Sequence, residues 1–185
     1  MLRTRPAALV MVSLVIALAT PHLNAQAPAG RRAVAQPTAR FGLAGGLSVP
    51  AGDLGADAGL GLAVGLRAET PLRDARWALR GDLNWDRYDG SGAVNAYSYA
   101  SLAGNLVHRE RVSGLYQYGG LGIFSSRMRF VSGNDRRDSN LGMQAGVGFT
   151  WNRLSPRWFT EFGLTSAFTS GRSSVWFPLR AGFWF

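Results

Sequence analysis

His108 and Glu110 have the residue types and the close spacing of a pair that could activate a nucleophile. A histidine that is oriented by a carboxylate can take the proton of a serine hydroxyl, which is the first step of acyl transfer. The only other histidine, His22, lies in a segment that we expect to be removed, and no serine has an evident place beside His108. We therefore assign no catalytic residue and predict that the protein is not an enzyme.

Arginines and carboxylates recur at alternate positions inside otherwise apolar segments, as Arg80 and Asp82 do between Trp77 and Trp85. Ions that are removed from water must pair with one another, because an uncompensated buried charge is strongly destabilising. Such a set forms either a structural salt-bridge plug or the lining of a narrow polar channel, and we favour the plug. The residues of this predicted charge network are Arg67, Glu69, Arg80, Asp82, Asp86, Arg157, Glu161 and Arg180.

Other arginines lie in stretches that are rich in Gly, Asp and Ser, where Arg87 is the first of them. Guanidinium binds phosphate through a two-pronged pair of hydrogen bonds, so these residues could contact phosphorylated lipid; solvated loop charges are an equal alternative. The candidates are Arg127, Arg129, Arg136, Arg137 and Arg172. The aspartates of these stretches do not follow the spacing of a known calcium loop, so we predict neither a metal nor a cofactor.

The first 25 residues have the composition of an export signal, with Arg3 and Arg5 ahead of an apolar run from Ala7 to Ala19. We expect cleavage near residues 25–27, a flexible leader over 26–39 and one domain over 40–185. The apolar run is shorter than the ~20 residues that a transmembrane helix needs. Export, together with arginines that are spread singly through a chain of net charge +9, argues against a nucleic-acid partner.

From residue 40 onwards, apolar and polar residues alternate at period two, which is typical of β-strands with one apolar face. In the clearest segment, Leu141 to Trp151, every second residue is apolar and those between are small or polar. Eight such segments are predicted: Arg40–Val49, Ala58–Thr70, Arg76–Arg87, Ala96–His108, Val112–Ser126, Asn140–Asn152, Arg157–Phe168 and Ser174–Phe185.

Two parts of this pattern are less regular. The stretches 97–107 and 115–126 have apolar residues at both parities, so their outward face cannot be assigned from the sequence. Pro178 lies inside the last segment, where it removes a donor from the backbone ladder, and we expect a bulge or a local break there.

The aromatic residues favour a membrane over a soluble sandwich, which would show the same alternation. Trp77 and Trp85 lie eight residues apart on one face, about 26 Å along a strand, which nearly spans the apolar band of a membrane barrel once the strand is tilted. Rings at both edges would form two interfacial girdles. We expect Trp151, Trp158 and Phe185 at the periplasmic edge, and Trp85 and Phe168 at the outer edge.

The last nine residues, 177–185, place apolar side chains at every second position and end on an aromatic residue. With the export signal and eight segments, residues 40–185 resemble the small OmpA/OmpX-type bacterial outer-membrane barrels. The resemblance implies an all-β, eight-stranded antiparallel up-and-down barrel in the outer membrane. Tight connections between the segments alternate with mostly longer ones at 50–57, 88–95, 127–139 and 169–173, which predicts that both termini and the tight turns face the periplasm and that the longer loops face outward. The resemblance also implies that barrel-assembly machinery and periplasmic chaperones are partners during biogenesis. The matching assembly signal is Phe177, Leu179, Phe183 and Phe185.

Fold does not determine activity in such proteins. We predict an integral outer-membrane protein with a structural or surface-interaction role and a lumen plugged by side chains, in contact with membrane lipid and lipopolysaccharide, and monomeric. The alternatives are a narrow polar channel or a lipid A-modifying enzyme. The enzyme would need His108 at the outer rim, whereas the short turn that follows His108 predicts a periplasmic position.

Overall fold

Period-two alternation produces eight antiparallel strands in the computed structural model, which describes residues 39–151, 157–169 and 172–185. Each strand pairs with the next, and the last pairs with the first, so the sheet is a closed barrel. This confirms the predicted barrel. The export signal lies outside the described residues, as does the leader apart from residue 39. The strands are β1 Arg40–Ala51, β2 Ala58–Pro71, β3 Trp77–Gly90, β4 Val94–Arg109, β5 Leu115–Phe130, β6 Asp135–Thr150, β7 Trp158–Thr169 and β8 Arg172–Trp184.

One short helix, α1 (Gly52–Asp57), joins β1 to β2 and buries Leu54. Among the residues that the structure describes, no helix has the length and apolar character needed to cross a bilayer.

The barrel has two distinct ends. At one end lie the final residue, the connections 72–76 and 110–114, the end of β6 and the start of β7; we call this the turn end. At the opposite end, the loop end, lie α1, the connections 91–93 and 131–134, the end of β7 and the start of β8. The seam between β1 and β8 closes at the turn end, where the amide of Phe41 donates to the carbonyl of Phe185 and the amide of Phe185 donates back to Phe41.

The loop-end connections are shorter than the sequence suggested. The stretch 127–139 was expected to be a loop, but β5 continues to Phe130 and β6 begins at Asp135, with Arg127 opposite Arg137 in register. The stretch 88–95 is likewise mostly strand, and the stretch 50–57 contains α1. The physical reason is that a hairpin extending into water needs no apolar face, so charged residues at alternate positions do not end its strands.

The two irregular stretches have a common explanation. Tyr97, Tyr99, Tyr116 and Tyr118 point into the barrel and are buried. Aliphatic residues of the opposite parity on the same two strands face outward, namely Leu106, Leu115, Leu121 and Ile123. Because tyrosine is both bulky and polar, it fills the lumen at positions that other strands give to ions or small residues. Both parities therefore hold apolar residues, and only the structure assigns the faces.

Pro178 leaves the register of β8 unchanged. It lies opposite Ser48 of β1 in a continuous ladder. On the other side, the β7–β8 ladder is interrupted between the pairs Phe162–Leu179 and Thr165–Trp176, and it resumes in the same register. The expected break is thus confined to the β7 side, and no bulge forms.

Candidate functional site

The centre of the lumen is an ion network around Glu161, which is 3% exposed. Its Oε1 accepts hydrogen bonds from Arg80 Nη1 at 2.8 Å and from the Tyr116 hydroxyl at 2.6 Å. Arg67 Nη1 lies 2.5 Å from the same oxygen. Opposite charges supplied by β2, β3 and β7 therefore meet in the middle of the barrel.

Asp82 extends this network towards β4 and β6. Its carboxylate pairs with Arg80 Nε at 3.1 Å and accepts hydrogen bonds from the side-chain amides of Asn105 and Gln144, each at 3.0 Å. Gln144 in turn donates to the Asn105 carbonyl oxygen at 3.0 Å. Neither amide was predicted as a network member. The alternation of residues along its segment does place Gln144 on the polar face. Asn105 lies in the stretch 97–107, where the sequence does not assign the faces.

Two further groups of paired ions lie on either side of this centre. Arg180 Nη2 donates to both oxygens of Asp86, at 3.0 and 3.1 Å. At the turn end, Glu69 accepts from Arg40 at 2.9 Å and from Arg109 at 2.6 and 2.7 Å. The sequence did not identify these last two arginines, because Arg40 begins the first strand and Arg109 was expected in a turn.

The charges of the groups around Glu161 and Asp86 balance. Three arginines face three carboxylates in the two inner groups: Arg67, Arg80 and Arg180 against Asp82, Asp86 and Glu161. The eighth predicted network residue, Arg157, is exposed and lies just before β7 begins. The first inward position of β7 is occupied by Phe159, which is buried. Arg157 therefore lies outside the buried group of ions.

The lumen changes character towards the loop end, where aromatic rings replace the ions. Trp176 packs against Tyr99 and Phe124 with ring centroids 4.7 and 5.9 Å apart. The Tyr88 hydroxyl lies 2.6 Å from the Ser48 hydroxyl. Leu54 of α1 completes this cluster, so the helix covers an apolar layer that lies above the polar one.

The outer wall carries an apolar band of leucine, valine and aromatic side chains, most of them between 40 and 70% exposed. A surface of this kind is suited to lipid rather than water. Trp77, Trp151 and Trp158 lie on it at the turn end, and Trp85 lies nearer the loop end. Leu179 and Phe185 of the expected assembly signal are on the same face.

A row of outward residues crosses four strands on the loop-end side of Trp85. In successive registers the row reads Arg87, Ser98, Arg127 and Arg137. A shallow depression of about 390 Å³ lies between these side chains and Trp85, and Arg129 also lines it. Within the described part of the chain, Arg87 and Arg137 make no ion pair.

The remaining predicted phosphate contacts lie elsewhere. Arg136 has the opposite parity, is exposed and pairs with Asp138 at 3.1 Å. The side chain of Arg172 is outside the described part of the structure. Arg127 and Arg129 both reach Asp135, Arg127 through Nε at 3.0 Å. The row therefore contains two of the predicted arginines, together with Arg87.

At the loop end, β5 and β6 project beyond the point where β6 begins to pair with β7. The β6–β7 ladder begins at the pair Gly142–Ala167, whereas β5 and β6 remain paired as far as Arg129 and Asp135. Among the described strands, none pairs with residues 135–141 on the side away from β5. We call residues 135–141 the free edge, because they have no strand partner on that side among the described residues; residues 135–139 are exposed.

His108 and Glu110 face different neighbours. The His108 ring lies on the outer wall at the turn end, with its centroid 4.6 Å from that of Trp77. Glu110 accepts a hydrogen bond from the Ser113 hydroxyl in the following turn.

The closed barrel agrees with solved structures of bacterial outer-membrane proteins. No protein-family model and no curated protein sequence matches the chain. Ail, the attachment invasion locus protein of Yersinia pestis, matches with a TM-score of 0.58 and 16% identity, over 81% of this chain and 99% of that one. Ail in a phospholipid bilayer nanodisc matches with 0.52 and 18%, over 79% and 99%.

The N-terminal β-barrel domain of Pseudomonas aeruginosa OprF matches with a TM-score of 0.51 and 15% identity, over 81% of this chain and 98% of that one. The match extends over nearly the whole of each solved barrel. The chain therefore has the fold of the small, eight-stranded outer-membrane barrels of the OmpA/OmpX type.

Proposed function

We propose that the protein is an integral bacterial outer-membrane protein that acts at the cell surface through its projecting strands. We propose that the turn end and both termini face the periplasm and that the loop end faces outward. The apolar outer wall, the fold and the expected export signal support this placement.

The free edge is the observation that carries the surface role. An edge strand presents unpaired N–H and C=O groups, which can pair with an extended segment of another protein. Residues 135–141 would offer about 23 Å of such an edge at ~3.3 Å per residue. The charges of Arg136, Arg137 and Asp138 on this strand would oppose self-association and favour partners of mixed charge.

The arginine row supports a second contact, with lipopolysaccharide. Its side chains face the membrane side of the wall beside Trp85, and Arg87 and Arg137 have no carboxylate partner among the described residues. Lipid phosphates at that level would receive charge-assisted hydrogen bonds. One neighbour in fold, Ail, has been solved with the heparin analogue sucrose octasulfate, with a TM-score of 0.54 and 17% identity over 81% of this chain and 99% of that one. The arginine row would bind a polyanion through the same charge-assisted hydrogen bonds that it would make to lipid phosphates.

The lumen fits a structural plug better than a channel. Three arginines and three carboxylates are paired at its centre, and aromatic rings fill the layer above. An ion crossing the barrel would have to break several of these contacts, so we infer that the interior stabilises the barrel.

Placement and orientation can be tested with single cysteines, because the sequence has none of its own. Ser132→Cys lies in the β5–β6 connection at the loop end, and Val112→Cys, 91% exposed, lies in the β4–β5 connection at the turn end. In intact cells, a membrane-impermeant maleimide should label only Ser132→Cys. Both should be labelled after the outer membrane is permeabilised. Labelling of Val112→Cys alone in intact cells would reverse the orientation, and recovery of the chain in the soluble fraction would contradict the proposal.

A further inference from the structure

A groove of about 690 Å³ runs along the outer wall over strands β3 to β7. Its middle is a row of successive register partners: Leu106, Gly119, Ala145 and Leu164. The two central residues carry no side chain or only a methyl group, while leucines stand on both sides. The groove is therefore a narrow apolar channel at the surface of the wall.

Small inward residues make the floor of this groove thin. The Tyr118 ring lies against the inside of the wall and lines the groove, and its hydroxyl would be 2.6 Å from a Cβ at Gly146 and 2.8 Å from one at Gly163. These glycines are required by the close approach of the tyrosine. The groove is thus a consequence of the way the lumen is packed.

The groove becomes polar towards the turn end. The next row contains Trp77, His108 and Gln117 in successive registers, followed by Val147 and Phe162. His108 is partly buried against Trp77, and Gln117 is exposed between His108 and the apolar Val147. Arg111, exposed in the adjoining turn, makes no ion pair within 4 Å in the described structure.

We propose that this groove holds one glycerophospholipid of the leaflet at the turn end. One acyl chain would lie along Gly119 and Ala145 between the leucines. The phosphate and ester oxygens would accept hydrogen bonds from the Gln117 amide and the His108 ring, and Arg111 would supply a positive charge near the phosphate. The rings of Trp77 and Phe162 would bound the chain on its two sides.

The arrangement of polar groups favours a lipid over a second copy of the barrel. A second apolar wall placed on the groove would remove Gln117 and His108 from water without giving them partners, which is costly. A phospholipid instead matches the groove along its length, because it is apolar at one end and an acceptor-rich anion at the other. The proposal goes beyond the surface role and depends only on the chain lying in a membrane.

Gly119→Leu tests the site directly. A Cβ at Gly119 would meet nothing closer than 3.9 Å, so the variant should fold, yet its side chain would fill the channel. The matched control is Gly81→Leu, on the same outer face, where a Cβ would meet nothing within 4 Å. Each protein is refolded in detergent with a mixture of phosphatidylethanolamine and phosphatidylglycerol. Retained lipid is then counted by native mass spectrometry, and folding is checked by the heat-dependent gel shift.

We expect one retained phospholipid on the unmodified chain and on Gly81→Leu, and at least about a tenfold loss on Gly119→Leu, equivalent to ~1.4 kcal/mol. Gln117→Leu, which keeps the apolar channel and removes the amide, should also lower retention. Equal retention by all folded variants would overturn the proposal. A dimer that Gly119→Leu dissociates would also overturn it, by making the groove a contact between copies. Failure to fold into detergent at all would instead contradict the membrane placement.

Discussion

Arg80 donates a hydrogen bond across the lumen to Glu161, with 2.8 Å between Nη1 and Oε1, and so ties β3 to β7. The strands are not neighbours in the barrel, so this contact braces the wall from within. Because Glu161 also pairs with Arg67 and accepts from Tyr116, one carboxylate organises three surrounding side chains.

Glu161→Gln should destabilise the barrel strongly, because it leaves two buried guanidinium groups facing a neutral amide. Loss of one partner of a buried ion pair costs about 3–5 kcal/mol. The measurement is urea unfolding in phospholipid vesicles, followed by tryptophan fluorescence. Asp138→Asn, which breaks only the exposed pair with Arg136, is the control and should leave the unfolding midpoint almost unchanged. Equal midpoints for the two variants would show that the lumen network contributes little.

Removal of the plug should create ion flow. The double variant Arg80→Ala/Glu161→Ala deletes one positive and one negative side chain, so the lumen stays neutral while its centre is opened. In planar bilayers we expect the unmodified chain to remain closed and the double variant to show discrete conductance steps. Trp85→Ala removes a comparable volume from the outer wall and should behave like the unmodified chain. Steady conductance by the unmodified chain would favour the channel alternative.

Arg87→Ala/Arg137→Ala should weaken binding to lipopolysaccharide. Each charge-assisted hydrogen bond to phosphate contributes about 1.5–3 kcal/mol, so the loss should exceed tenfold in affinity at low salt. Fluorescence titration in detergent would measure it. Arg136→Ala is the control, because that arginine has the opposite parity and pairs with Asp138. Binding of dephosphorylated lipopolysaccharide should not distinguish the variants; if it does, phosphate is not the group recognised.

The β5–β6 hairpin should loosen in acid. The hydrogen bond from Arg127 holds the pKa of the Asp135 carboxyl below its usual range, with the charges of Arg127 and Arg129 acting in the same direction. A carboxyl with a lowered folded-state pKa contributes stability above its unfolded pKa, and that contribution disappears as the pH falls through the folded pKa. Carbon-13 titration of Asp135 should therefore show a midpoint below that of an unstructured aspartate. Arg127→Gln should raise it, and an unchanged midpoint would contradict the pairing.

The alternation of apolar and polar residues allowed much of the barrel to be predicted, because every second side chain of a strand lies on the same face. Arg67, Arg80, Asp82 and Glu161 could thus be placed inside before any partner was known. Their partners could not be predicted in the same way. Which residues meet across the lumen depends on the tilt and stagger of the strands, so the convergence of Arg40 and Arg109 on Glu69 needed the structure.

The loop end was predicted less well for a related reason. The sequence predicts that the charged residues end the strands, but β5 and β6 continue through them, with Arg127 opposite Arg137 in register. The arginine row is visible only in that register, since Arg87 is far from Arg137 in sequence. The free edge depends likewise on where β7 stops relative to β6.

The pair Phe41–Phe185 has a consequence for how the molecule is made. Every strand pairing except β1–β8 joins consecutive strands, so hairpins can form as soon as their two strands are available. The seam alone requires the two ends of the domain to meet, and this loop closure carries the largest entropic cost of any pairing in the fold. Until the seam closes, the chain is an open sheet with two unpaired edge strands and an exposed apolar face. Deletion of β8 would remove every pairing of this seam and leave the polypeptide in that aggregation-prone state, although its other seven strands are intact.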